Sequence, residues 1–166
     1  MPGLAPITVR QPQPFDLVGD TVDVCGIGTG FEAVITGRVR DANGTELVQS
    51  PIMAGANGIL NNFHAELPLS GVPSTAQGTL EVFELSQSGD GSELNEVVVP
   101  ITFGHALIDP YQGFVQHTVA PGDSLWAIAG QFYGDGAQYP RLFEANRDQI
   151  DNPDLIFPGQ VLRVPQ

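Results

Sequence analysis

"TVAPGDSLWAIAGQFYG", Thr118–Gly134, contains the only tryptophan of the chain and decides how its last third folds. A β-like start runs into the Pro121-Gly122 turn. Asp123 and Ser124 follow, two residue types that cap a helix N-terminus through a side-chain oxygen. Leu125, Ile128, Ala129 and Phe132 then fall at i, i+3, i+4 and i+7, one face of a helix, and Gly134 suits the left-handed residue that closes one. Downstream, a second helix is expected over roughly Gln138–Asn146, with Pro140 tolerated in its first turn. Gln160–Val164 resumes a strand, giving the order β-α-α-β.

Upstream the period changes from 3.6 to two. Ile35 and Val39 share one parity with Phe31 and Ala33, while Glu32, Thr36, Arg38 and Arg40 share the other. Phe63, Ala65, Leu67 and Leu69 repeat the pattern against His64 and Glu66, as do Val97, Val99, Ile101 and Phe103 against Pro100 and Thr102. Alternation with one polar face predicts half-buried antiparallel strands. Turn signals at Asp41–Gly44, Ser70-Gly71 and Gly89–Gly91 divide the region into about seven strands, near 6–10, 20–27, 30–40, 45–54, 61–69, 78–86 and 94–103. That count predicts a two-sheet sandwich. The expected organisation is an all-β sandwich over 1–103, a linker over 104–113 (GHALIDPYQG) and a small α+β unit over 114–166.

Composition narrows the function. Nineteen acids against six arginines, and no lysine, give a formal charge of −13, with mean hydropathy near zero. Such a chain repels nucleic acid and anionic membrane surfaces. Cys25 is alone, so an intramolecular disulfide or a cysteine-rich zinc site is excluded. No stretch approaches the ~20 apolar residues of a membrane span. The start, MPGLAPITVRQPQP, has neither the charged nor the apolar region of a signal peptide. The protein is therefore expected either to be cytoplasmic or to have lost a leader.

Three blocks of the last third, "HTVAPGDSLWAIAGQFYG", "YPRLFEANRDQI" and "NPDLIFPGQVLRVP", together resemble a LysM domain, with His117 in place of the usual aromatic and Ser124 in place of threonine. The resemblance implies a βααβ fold that binds N-acetylglucosamine-containing glycans, chiefly peptidoglycan or chitin. It implies a groove between two loops, here Gly122, Asp123, Ser124 and Leu125 facing Asn152, Pro153, Asp154, Leu155 and Ile156. Exposed backbone N–H and C=O groups in two such turns can pair an acetamido group, and Leu155 and Ile156 can meet its methyl and ring faces. Each hydrogen bond at a shallow, hydrated site adds only about 0.5–1.5 kcal/mol, so one copy should bind weakly. A plain turn with an N-cap accounts equally for Gly122-Asp123-Ser124. Trp126, one position off the apolar stripe, reads as a partly exposed packing residue, and Leu155 and Ile156 as minor-core residues.

"ITVRQPQPFDLVGDTVDVCGIGTGFEAVITGRVRDANG" with "GTLEVFELSQSGDGSELNEVVVPITF" resembles the immunoglobulin-like domain appended to bacterial spore-germination proteins. That resemblance implies a cell-envelope, extracytoplasmic setting, with no chemistry or ligand of its own. Gly26–Gly30 imitates a dinucleotide loop. Such a loop must open a helix, whereas β alternation follows at once, so a tight hairpin is the better account. Cys25 shares the polar parity of Thr21 and Asp23, and no motif pairs it with His64, His105 or His117 as a nucleophile. The acidic pairs Asp20/Asp23, Asp90/Glu93 and Asp148/Asp151 match no calcium loop and read as solvated surface.

The expectation is thus a non-catalytic envelope protein without cofactor or metal. Its LysM unit holds peptidoglycan or other N-acetylglucosamine oligomers and its immunoglobulin-like unit meets a protein partner. The alternatives are a structural adaptor of a phage-tail or contractile-injection assembly, and an intracellular LysM protein of the potassium-binding type.

Overall fold

The computed structural model describes residues 6–166, so the beginning of the expected 1–103 unit lies outside the described residues. Among the described residues, nine strands form the sandwich: β1 Ile7–Gln11, β2 Asp16–Val18, β3 Thr21–Gly30, β4 Val34–Asp41, β5 Glu46–Met53, β6 Gly55–Ala56, β7 Asn61–Pro68, β8 Gln77–Leu85 and β9 Glu93–Phe103. One sheet runs β2-β9-β8-β4-β5; in the other, β3 lies between β1 and β7 and its end pairs with β6. The seven expected strands are all present, and β2 and β6 are additional short pairings. The inward parity holds: Val22, Val24, Ile35, Val39, Leu67, Leu80 and Ile101 meet in one buried core. Each such side chain, once fully buried, stabilises the fold by about 1.5–3 kcal/mol.

Two local expectations are corrected. Gly26–Gly30 is no hairpin but the second half of β3. An added Cβ at Gly26 or Gly28 would crowd the Phe63 ring on the neighbouring strand, so these glycines make room for an aromatic within the sheet. The chain turns instead at Phe31–Ala33, which is a 3-10 turn rather than the start of a strand. The polar parity of β4 is not solvated throughout. Arg38 is buried, with Nε donating to Glu81 Oε2 at 2.5 Å, Nη1 to Glu93 Oε1 at 2.6 Å, and its guanidinium 4.6 Å from the Phe83 ring centroid. Because β4 is flanked on both sides, by β5 and β8, long neighbouring side chains cover its outer face. The segment 104–113 is the expected linker. It opens with a helical turn, α1 Gly104–Leu107, in which Leu107 is buried, and the Tyr111 ring packs on Gly104 so closely that an added Cβ there would overlap it.

The last third is β10 Phe114–Thr118, α2 Leu125–Tyr133, a 3-10 turn at Gly136–Gln138, α3 Tyr139–Ala145 and β11 Val161–Pro165. Strands β10 and β11 pair antiparallel from Phe114–Pro165 to Thr118–Val161. Val119, Leu125, Ile128, Ala129, Leu142, Ile150, Leu162 and Val164 form a second core that shares no residue with the first. The architecture is a β-sandwich followed by a βααβ unit. Among the described residues no helix is long and apolar enough to cross a membrane.

Candidate functional site

The turn in the quoted stretch is built from its own side chains. Gly122 has φ +91°, a left-handed conformation that favours glycine. Asp123 Oδ2 accepts the Ala120 N–H at 2.9 Å and lies 3.0 Å from His117 Nε2. The Ala120 amide, and then His117, hold the Asp123 carboxyl below its ordinary pKa. Ser124 Oγ accepts the Ala127 N–H at 3.1 Å as the N-cap of α2, and Gly134 closes that helix with φ +77°.

A second turn faces this one. Asn152 Oδ1 accepts the Asp154 N–H at 3.0 Å, and the Asn152 carbonyl accepts the Leu155 N–H at 3.0 Å. Gln160 Oε1 accepts the Phe157 N–H at 2.7 Å. Two backbone bonds join the loops at their bases: Val119 N–H to the Gln160 carbonyl and Gly159 N–H to the Val119 carbonyl, both 2.8 Å. The β10–β11 ladder thereby fixes their separation.

Between the loops lies an open groove of about 240 Å³. Six expected residues line it: Asp123, Ser124, Leu125, Pro153, Asp154 and Ile156. Gly122, Asn152 and Leu155 do not; Gly122 and Asn152 shape the turns, and the Leu155 side chain is exposed outside the groove. Leu125 is only 2% exposed, so it forms floor and core together, and Ile156 packs partly on the same core. Ser124 Oγ is spent on the helix cap and Asp123 Oδ2 on the turn, so these two residues build the local structure and wall the groove at once.

Two aromatic residues were missed. Trp126 and Tyr139 line the groove, their ring centroids 6.3 Å apart at 40°, and Trp126 is 58% exposed. The indole rests on Gly136, where an added Cβ would overlap the ring. An exposed indole backed by protein on one face presents a large apolar surface with little side-chain entropy left to lose. The one available signal was the position of the only tryptophan, beside rather than on the apolar stripe of α2. Nothing in the sequence announced that Tyr139, at the start of another helix, would stand next to it.

The arrangement suits a ligand with alternating polar and apolar edges: aromatic and aliphatic walls, turn backbone, and two carboxylates, Asp123 and Asp154. Among the described residues no three His, Cys, Asp or Glu side chains gather as a metal site.

Comparison with known proteins follows the same division. The family model for the immunoglobulin-like domain of bacterial spore germination matches residues 6–92, and that for the LysM domain matches residues 117–165. LysM domains as a family bind N-acetylglucosamine-containing glycans such as peptidoglycan. A potassium binding protein of Escherichia coli is 50% identical over 50 residues, 30% of this chain and 34% of that protein. An esterase of Mycobacterium tuberculosis is 36% identical over 96 residues, 52% of this chain and 20% of that protein. A spore coat assembly protein of Bacillus cereus is 43% identical over 49 residues, 30% of this chain and 7% of that protein. The chain spans about a third or less of the length of these curated relatives.

Proposed function

The chain belongs to the family of the immunoglobulin-like domain of bacterial spore germination and ends in a LysM domain, and from that premise we propose a non-catalytic binding protein of the cell envelope. The LysM unit holds N-acetylglucosamine-containing glycan, with peptidoglycan as the natural polymer, in the groove between 122–125 and 152–156. The sandwich meets a protein partner. The observation that carries the glycan reading is the groove itself, where six of the nine expected residues meet Trp126 and Tyr139. Aromatic faces bury the apolar side of a pyranose ring, and turn amides and carbonyls pair the acetamido group.

The experiment is an NMR titration of the full chain with N-acetylglucosamine oligomers of increasing length. Gly122–Trp126, Tyr139 and Asn152–Ile156 shift together, affinity grows with oligomer length, and salt has little effect because the contacts are largely neutral. Trp126→Ala weakens binding while the amide spectrum stays folded. Shifts confined to one loop, or none at millimolar oligomer, sink the reading and leave the groove to a protein contact, as in an assembly adaptor.

A second reading rests on the 50% identity to a potassium binding protein: an intracellular LysM protein of that type. Titration with KCl against NaCl at constant ionic strength separates the two. Shifts specific to potassium favour the second reading, and identical responses to both salts dismiss it.

A further inference from the structure

Strand directions give the sandwich two distinct ends. One faces the LysM unit, where Gln77 Nε2 donates to Glu144 Oε2 at 2.8 Å. The far end gathers 30–34, 53–61 and 84–95, as the register pairs Val34–Met53, Gly28–Asn61 and Leu85–Glu93 fix. Of seven large apolar side chains exposed on the described sandwich, five stand at this far end: Phe31, Met53, Ile59, Leu85 and Leu94. Single exposed apolar residues are ordinary; a cluster of five on one end points to contact.

Phe31 is held outward by its neighbours. Glu32 and Ala33 follow it with φ +51° and +65°, a left-handed region that non-glycine residues adopt only when the surroundings hold them there. Glu84 pins the turn: Oε1 accepts the Phe31 N–H at 3.0 Å and Oε2 accepts Asn95 Nδ2 at 3.2 Å. Phe31 lines two hollows, of about 250 and 290 Å³, the second walled also by Val34 and Leu85. An aromatic bordering two hollows offers incoming side chains a place to pack.

Charge selects the occupant. Glu32 and Asp90 are exposed at this end, Glu93 is turned to Arg38, and none of the six arginines lies in 30–34, 53–61 or 84–95. A second copy of a chain carrying −13 would set acid against acid, and anionic lipid or nucleic acid is repelled likewise. Building on the reading of the sandwich as a protein-interaction unit, we infer that its far end docks a basic protein segment, with apolar side chains interspersed among lysines or arginines.

The test titrates the ¹⁵N-labelled full chain with two short synthetic peptides. One alternates Lys or Arg with Phe and Leu; the other keeps Phe and Leu but carries Glu at the charged positions. The basic peptide shifts 30–34, 53–61 and 84–95, binds less well as salt rises, and loses roughly tenfold in affinity in Phe31→Ser and in Glu32→Lys/Asp90→Lys. Leu85→Ser, with its own amide spectrum checked for folding, repeats the loss should Phe31→Ser disturb the turn. Equal binding of both peptides, shifts elsewhere, or none at millimolar peptide overturn the inference. Self-association that Phe31→Ser abolishes overturns it in favour of a second copy. Resonances of 122–126 and 152–156 stay still, so failure here is separate from failure of the glycan reading.

Discussion

The side-chain amide of Asn146 pairs with both backbone groups of Arg163: Nδ2 donates to the carbonyl and Oδ1 accepts the N–H, each at 2.8 Å. Asn146 follows α3, Arg163 sits in β11, and β10 occupies the other edge of that strand. One buried side chain therefore stands in for a missing strand and ties the second helix to the sheet. Nδ2 also donates to the Leu142 carbonyl at 2.7 Å, so the same amide caps its helix.

Replacing Asn146 with leucine keeps the approximate volume and removes every one of these partners. The Arg163 N–H and carbonyl are then left unpaired in a dry site, at about 1–3 kcal/mol for each such group. Asn146→Leu is expected to destabilise the LysM unit by roughly 2–4 kcal/mol. Urea unfolding followed by Trp126 fluorescence measures it, since the only tryptophan reports this unit alone. A loss below about 1 kcal/mol means that the pairing is incidental.

What was legible depended on whether a residue's partners are close in sequence. The caps Ser124 and Gly134 and the strand parities are local, and they stand where the pattern put them. Arg38 falls on the polar parity of its strand, but alternation says which residues share a face and not what covers that face. Glu81 and Glu93 cover it from 43 and 55 residues away. Gly26 and Gly28 looked like a turn because the need for glycine came from other strands, from the Thr8 carbonyl and the Phe63 ring. Trp126 and Tyr139 meet for the same kind of reason, through the packing of α2 against the turn at Gly136.

Gly136 gives that packing a direct test. A Cβ at this position has no room beneath the indole, so Gly136→Ala should push Trp126 out of its present orientation while the second core remains intact. The expected result is an altered tryptophan emission and weaker glycan binding, with helical circular dichroism retained. Unchanged emission would falsify the close seating of Trp126 on Gly136.

Acid should loosen the quoted turn. Asp123 is held below the ordinary carboxylate pKa by the Ala120 N–H and His117. A carboxylate whose folded pKa is depressed stabilises the fold above its unfolded value, about pH 4, and that contribution disappears as pH falls through the lower folded value. Thermal melts read by Trp126 fluorescence are therefore expected to decline from about pH 4 downward. Asp123→Asn should start from a lower melting temperature at neutral pH and show a shallower acid decline. A variant whose acid decline matches the parent's assigns the loss to other carboxylates.

The final expectation concerns where the chain divides, for which we propose 104–113 as the connection between units over 1–103 and 114–166. The two cores have no common residue, so neither requires the other to bury its apolar surface. Few side-chain hydrogen bonds tie them: Arg163 Nη1 reaches Asp16 Oδ1 at 3.4 Å, and Gln77 reaches the Glu144 side chain and carbonyl, while α1 lies against α3. Within the connection, Tyr111 packs back on Gly104 and Gly19. By contrast, the Gln112 N–H donates to the Gln166 carbonyl, and the Gln166 N–H to that of Gly113. Residues up to Tyr111 thus travel with the sandwich and those from Gln112 with the LysM unit. Fragments 1–111 and 112–166 are accordingly expected to be soluble and folded, with separate unfolding transitions that reproduce those of the full chain to within about 1 kcal/mol. Asp16→Ala in the full chain should shift neither transition by more than that. A single transition in the full chain, with either fragment unfolded alone, would mean that α1 and Tyr111 weld the two units into one cooperative body, and that alternation and helical period mark a change of pattern without marking a domain boundary.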